Sequence, residues 1–251
     1  MLLPWRDRRG RFVPIKALAL ALCCLPLPWM LYLLVWDGYG GRPLNGLVHE
    51  SGKWAVRLTV VALAMTPVAM ALRWPRLGLT RRIVGVSAAA YALAHLGLYV
   101  ADQGFALGVV VSEIVKRVYL TIGFIALVGL AALAATSLDS AMRRMGAWWK
   151  RLHRLVYPVA ALALLHFFMQ TKANQFEPTL VAGLALWLLL WRLLPERARG
   201  TVWVYPLLAV AAGLGTVGIE YAWYALATSV NPDRVLAANW TLRFGLRPAH
   251  W

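Results

Sequence analysis

Long apolar runs separated by short polar and basic segments set the rhythm of the chain: residues 17–36, 54–72, 83–100, 118–136, 152–170, 179–194 and 202–222. The hydrocarbon core of a bilayer is about 30 Å thick and takes roughly 20 helical residues to cross. Each run is therefore expected to be a membrane-spanning α-helix, and the chain an all-α integral membrane protein. The first run is too long for the apolar part of a signal peptide and no small-x-small cleavage site follows it, so it is expected to stay as a helix.

Composition sharpens this picture. Of 251 residues, 61% are hydrophobic and 14% charged, far more apolar than a soluble domain of that length. A formal charge of +16 would suit a nucleic-acid binder, but the basic residues sit in clusters between the apolar runs, where topology signals lie, and nucleic acid is set aside. With the N-terminus in the cytoplasm, 17 of the 26 Lys and Arg residues fall inside, among them Arg6, Arg8, Arg9, Arg11 and Lys16. The other nine, Lys172 and Arg243 included, fall outside, an imbalance that obeys the positive-inside rule. Trp36, Trp54, Tyr99, Trp148, Trp149, Tyr221 and Trp223 stand near run ends and suit interfacial aromatic belts. Cys23 and Cys24 are adjacent, and project about 100° apart on a helix, so they are read as packing rather than as a disulfide or thiolate metal site.

The chemistry concentrates in WWKRLHRLVYPVAALALLHFFMQTK (148–172), an apolar helix carrying His153 and His166. An ionisable ring at membrane depth points to function, although a lone one more often only bridges helices by a hydrogen bond. The separation of these two is about 20 Å of rise and about 140° of phase, so one straight helix cannot aim both at one partner; Pro158 between them can kink the helix. Counted from the cytoplasmic ends of their runs, His95 lies about 18 Å deep and His166 about 21 Å. They share a level on different helices, as two axial ligands of one haem iron must. His153 sits at the cytoplasmic end of its run with no histidine opposite; where one would stand on the His95 helix the chain has Arg81 and Arg82. This inner site is expected to be the weaker one. His49, in the first outer loop, and His250, in a polar tail, are expected to be solvated.

Arginines crowd the inner rim: Arg73, Arg76, Arg81, Arg82, Arg151 and Arg154. Arg81, Arg82, Arg151 and Arg154 are the candidates to neutralise haem propionates or a flavin phosphate, since a guanidinium matches such oxyanions in bidentate fashion. Fixing topology and binding anionic membrane lipid is the plainer use of the same residues. The chain has no Walker A or CxxC motif, and its G-x-G-x-x-G string, GLGTVG (213–218), lies inside an apolar run rather than between a strand and a helix, so it offers no recognisable means of oxidising a nicotinamide nucleotide by itself.

Four stretches, HESGKWAVRLTVVALAMTP (49–67), RRIVGVSAAAYALAHLGLYV (81–100), EIVKRVYLTIG (113–123) and ATSLDSAMRRMGAWWKRLHRLVYPVAALALLHFF (135–168), together resemble the MsrQ family. That family is the haem-binding membrane subunit of the bacterial periplasmic protein-methionine-sulfoxide reductase system, within the ferric-reductase-like transmembrane domains. The resemblance covers most of residues 45–195. It implies a six-helix haem-binding core over 17–199, a cytoplasmic segment over 1–16 and an extra C-terminal transmembrane helix and tail over 200–251, in the bacterial inner membrane. It implies haem b and FMN as cofactors, and His95, His153 and His166 as haem ligands. The implied role is redox rather than catalytic. Electrons pass from the quinone pool or a cytosolic flavin reductase to a periplasmic molybdopterin-containing methionine-sulfoxide reductase subunit, MsrP-like, that repairs oxidised proteins.

Two departures from the family pattern stand out. Lys116-Arg117-Val118 lacks the proline that usually follows the Lys-Arg pair, and the chain continues through 201–251, where the seventh run carries Glu220 near the outer interface and reads as an anchor with no assigned chemistry. Two other functions stay open. A ferric or oxygen reductase-type cytochrome b would need a separate flavin reductase, because no inner segment is long enough for a fused one. A transporter or structural protein would use its histidines to bridge helices, but the runs show no convincing inverted repeat and hold histidine rather than Asp or Lys at mid-span.

Overall fold

Proline placement decides where the apolar runs start and break as helices. In the computed structural model, which describes residues 4–7, 9–36, 38–171, 174–241 and 245–251, α1 (Pro14–Cys24) and α2 (Pro26–Val35) both open on a proline. They part at Leu25, whose backbone stays helical, and count as one span; a proline in the first turn gives up an N–H that has no partner there anyway. Arg8, Lys172 and Arg243 of the charge reading lie outside the described residues. α3 (Pro43–Ala71) also starts at a proline, about three turns earlier than the hydropathy pattern predicts. The polar stretch 43–53 is therefore helix rather than loop. His49 lies on it and is half-buried, which corrects the expectation of a solvated loop histidine.

A 3-10 turn (Pro75–Thr80) leads into α4 (Arg81–Asp102). Gly104 and Phe105, with φ of 62° and 60°, turn the chain into α5 (Leu107–Lys116), a short helix that the long-run pattern does not reveal, and then into α6 (Val118–Ala135). α7 (Asp139–Met145) and α8 (Ala147–His153) meet at Gly146, whose φ of 51° and ψ of −123° are open to glycine and closed to other residues. α9 (Val156–Gln170) follows. The run expected as one helix over 152–170 thus breaks at 154–155, one turn before Pro158, whose missing N–H cannot reach back to residue 154. α10 (Phe176–Leu193), the short α11 (Glu196–Arg199), α12 (Val204–Ala227), α13 (Pro232–Asn239) and a closing 3-10 turn (Pro248–His250) complete the chain. Among the described residues seven helical segments are long and apolar enough to cross a membrane, and the only strand-like pairing is an isolated bridge between Arg6 and Phe12. The protein is an all-α multi-pass membrane protein.

The helices form two compact units, residues 1–69 with 73–166 and residues 70–72 with 167–251, and the division runs through α9. The core of the first unit is lined by small residues of α4, Ala88, Ala89 and Ala92, against Ala55, Leu58 and Ala62 of α3 and Leu130 of α6. Small side chains let helices approach closely, which matters in lipid because burying apolar surface there gains little. Cys23 packs in this core, Cys24 is exposed, and neither is in a disulfide. The Tyr91 hydroxyl donates to the Cys23 carbonyl at 3.0 Å, tying α4 to α1.

In the second unit α10 packs against α12, and α13 and the closing turn fold back onto them. Gly183 faces Thr216 and Gly215 faces Leu186 at contacts a Cβ would obstruct. Glu220, only 3% exposed, pairs with Arg247 and accepts a hydrogen bond from Asn239 Nδ2 at 2.7 Å. The Arg247 backbone N–H donates to His250 Nδ1 at 3.0 Å, and His250 Nε2 then donates to the Asn239 carbonyl at 2.8 Å. The tail is thus a folded cap on a buried carboxylate. His250 is exposed, as expected, but it belongs to this polar knot.

Candidate functional site

α4 and α9 bring His95 and His166 together inside the first unit. Their ring centroids are 6.2 Å apart with the planes at 79°, and both residues are half-buried. His95 Nδ1 lies 2.8 Å from the Val48 carbonyl of α3, and His166 Nδ1 lies 2.7 Å from the Tyr119 carbonyl of α6. A carbonyl only accepts, so each Nδ1 carries the proton and each Nε2 keeps a free lone pair, the state a metal ligand needs. A metal bound by an imidazole nitrogen at roughly 2 Å on either side sets two ring centroids roughly 6 Å apart, and the observed separation matches. No group of three or more His, Cys, Asp or Glu residues able to hold a metal ion occurs among the described residues. Two imidazoles alone suit a metal that brings its in-plane ligands with it, as a porphyrin does.

Two glycines missing from the sequence reading line this pair. A Cβ at Gly52 would stand 3.0 Å from His95 Nδ1, and one at Gly123 would stand 2.7 Å from both Nδ1 and Cε1 of His166. His49, placed on α3 rather than in a loop, is within electrostatic reach of both rings.

The third histidine occupies a different setting. His153 ends α8 and stacks on Trp149 with ring centroids 4.0 Å apart, while Trp149 Nε1 is anchored to the Thr136 carbonyl at 2.9 Å. His153 Nδ1 lies 3.2 Å from the Trp149 carbonyl and Nε2 lies 3.4 Å from the Ser137 hydroxyl. It faces a cavity of about 260 Å³ whose lining includes Arg81, Arg82, Ser137, Met142 and Trp149, and no second histidine. Arg82 is held at 2.6 Å by Asp139 of α7. Arg81 forms no ion pair among the described residues. Arg151 and Arg154 are exposed and line no part of this cavity; Arg151 lies over the Trp148 ring at 4.7 Å. All four arginines are exposed, but of the basic cluster read in the sequence only Arg81 and Arg82 line the cavity.

Residues 51–164 match the family described as ferric reductase like transmembrane component. Among curated proteins, the chain is 40% identical over 181 residues to the protein-methionine-sulfoxide reductase heme-binding subunit MsrQ of Polaromonas naphthalenivorans, covering 70% of this chain and 83% of that one. It is 38% identical over 196 residues to the MsrQ of Rhodospirillum rubrum, covering 77% and 92%, and 40% identical over 176 residues to that of Caulobacter vibrioides, covering 68% and 82%. No solved structure matches the chain. With paired histidines inside a ferric-reductase-like helical unit, and relatives this similar over most of their own length, the chain belongs to the MsrQ family.

Proposed function

We propose that this chain is the membrane electron-transfer subunit of a protein-methionine-sulfoxide reductase system, set in a bacterial inner membrane with its N-terminus in the cytoplasm. The observation that carries the reading is the 6.2 Å separation of His95 and His166 with both Nδ1 atoms already engaged by backbone carbonyls. Haem b held by these two residues would supply one-electron iron chemistry in a largely apolar setting. His153 serves a second level, on the cytoplasmic side, where electrons arrive from the quinone pool or a cytosolic flavin reductase. There Arg81, which lines the cavity and has no ion-pair partner among the described residues, is suited to a haem propionate or to the phosphate of FMN. The receiving partner is a periplasmic MsrP-like molybdopterin subunit that reduces methionine sulfoxide. The named relatives are haem-binding subunits of such a system, which supports the same reading.

Absorbance of the purified protein tests it. A low-spin b-type spectrum whose visible bands sharpen on adding dithionite is expected. Well-folded protein from haem-sufficient cells with no Soret band would end the proposal.

A further inference from the structure

The turns of α3 and α6 that hold the paired imidazoles are copies of one another. In each, a backbone carbonyl engages Nδ1 of a histidine 47 residues further along the chain. In each, the residue one helical turn after that carbonyl is a glycine: Gly52 after Val48, Gly123 after Tyr119. A shift of 71 residues carries Val48 onto Tyr119, Gly52 onto Gly123 and His95 onto His166. One hairpin arrangement, α3 with α4, thus recurs as α6 with α9, and the two rings come from equivalent places in it. The copies run in the same chain order, so this is not the inverted repeat of a transporter.

The glycines explain how the rings reach the carbonyls. In an α-helix the N–H of residue i+4 points at the carbonyl of residue i, so a ring that shares that carbonyl must lie across the residue at i+4. At Gly123 a Cβ would meet three ring atoms of His166 at 2.7, 2.7 and 2.9 Å, and at Gly52 it would meet the His95 ring at 3.0, 3.1 and 3.7 Å. Glycine weakens a helix interior relative to alanine; two such positions, both under an imidazole, have their reason in the rings. We infer that Gly52 and Gly123 are positioning residues for the two axial imidazoles, each a helical turn without a side chain that seats one ring and leaves a carbonyl to hold its Nδ1 proton. This rests on the reading of His95 and His166 as axial ligands.

The test compares Gly52→Ala and Gly123→Ala with two control glycines. Gly97, on the His95 helix, has open space where a Cβ would stand, and Gly129 packs on Val159 at the α6–α9 contact without touching a ring. All four proteins are purified and read for haem content, low-spin electron paramagnetic resonance g values and midpoint potential. Gly123→Ala is expected to bind haem about 10-fold more weakly, in line with losses of hydrogen-bonded support behind a metal ligand. The haem it retains has shifted g values and a raised potential, because a ligand with a weaker Nδ1 hydrogen bond is less basic and favours ferrous iron. Gly52→Ala, the milder clash, keeps its haem and shifts in the same direction by less. Gly97→Ala and Gly129→Ala keep the parental signature. Parental g values and potential in both Gly52→Ala and Gly123→Ala would overturn the inference, and so would an equal shift in Gly129→Ala, which would mean that helix separation alone moves the signal. A parent protein with no haem signature fails earlier, at the proposed function, so the two failures are told apart by the parent alone.

Discussion

The paired site and the cavity site hold their histidines by different means. His95 and His166 are each fixed by a main-chain carbonyl and a bare helical turn, so their positions follow from the helices themselves. His153 is held by a carbonyl of its own helix at 3.2 Å, an indole stacked on it and a hydroxyl at 3.4 Å, beside a guanidinium and open space. Side chains hop between rotamers far more readily than helices shift. A ring held by the backbone of a neighbouring helix is fixed by how the helices pack, whereas one held within its own turn and by side chains keeps more freedom to adapt to what enters the cavity.

The comparison breaks most completely at the pair. His95→Ala or His166→Ala should abolish the paired-level haem and electron delivery together, while His250→Ala keeps both; haem content by absorbance decides, and equal haem in His166→Ala and the parent would sink the pairing. Next in size is the second unit, which holds none of the three histidines. Arg247→Ala strands the Glu220 carboxylate and should cost about 3 kcal/mol of stability, as breaking a buried ion pair does, with the haem spectrum unchanged. A truncation after Gly200 that still inserts should likewise keep haem; losing it would show that the paired site needs the second unit. His153→Ala should slow reduction by a cytoplasmic-side donor about 10-fold, a barrier increase of about 1.4 kcal/mol, while the spectrum of the paired level persists. Parental reduction rates would make His153 a helix-end residue only. The smallest effect separates the arginines: Arg81→Ala should weaken that donor reaction a few-fold, whereas Arg151→Ala, over an exposed tryptophan, should leave it within experimental error.

Much of this is readable from the chain, and the exceptions have physical causes. Depth counted along two apolar runs is enough to bring His95 and His166 to one level, because helical rise is fixed at about 1.5 Å per residue. The start of α3 is not readable, since 43–53 is polar and only its packing shows that the helix continues through it. The break between α8 and α9 is half-readable: Pro158 announces it, but not that His153 ends a separate helix stacked on Trp149. The division of the arginines is only partly readable: Trp148 stands three residues before Arg151 on one helix, but Asp139, 57 residues from Arg82, becomes its partner only through the fold. Gly52 and Gly123 go unnoticed for a related reason. Two glycines and two histidines recurring at one interval are too few identities to show as a repeat until the hydrogen bonds align them.

The buried pair of Glu220 and Arg247 also sets a timetable for the growing chain. The two residues are 27 positions apart, so at about 5–20 residues per second the carboxylate is made roughly 1–5 seconds before its guanidinium. Without Arg247 the Glu220 carboxylate keeps only its hydrogen bond from Asn239, a state that apolar surroundings penalise. The buried ion pair of the second unit therefore joins a helix to a segment made after it, so α12 is complete before the partner of its carboxylate exists.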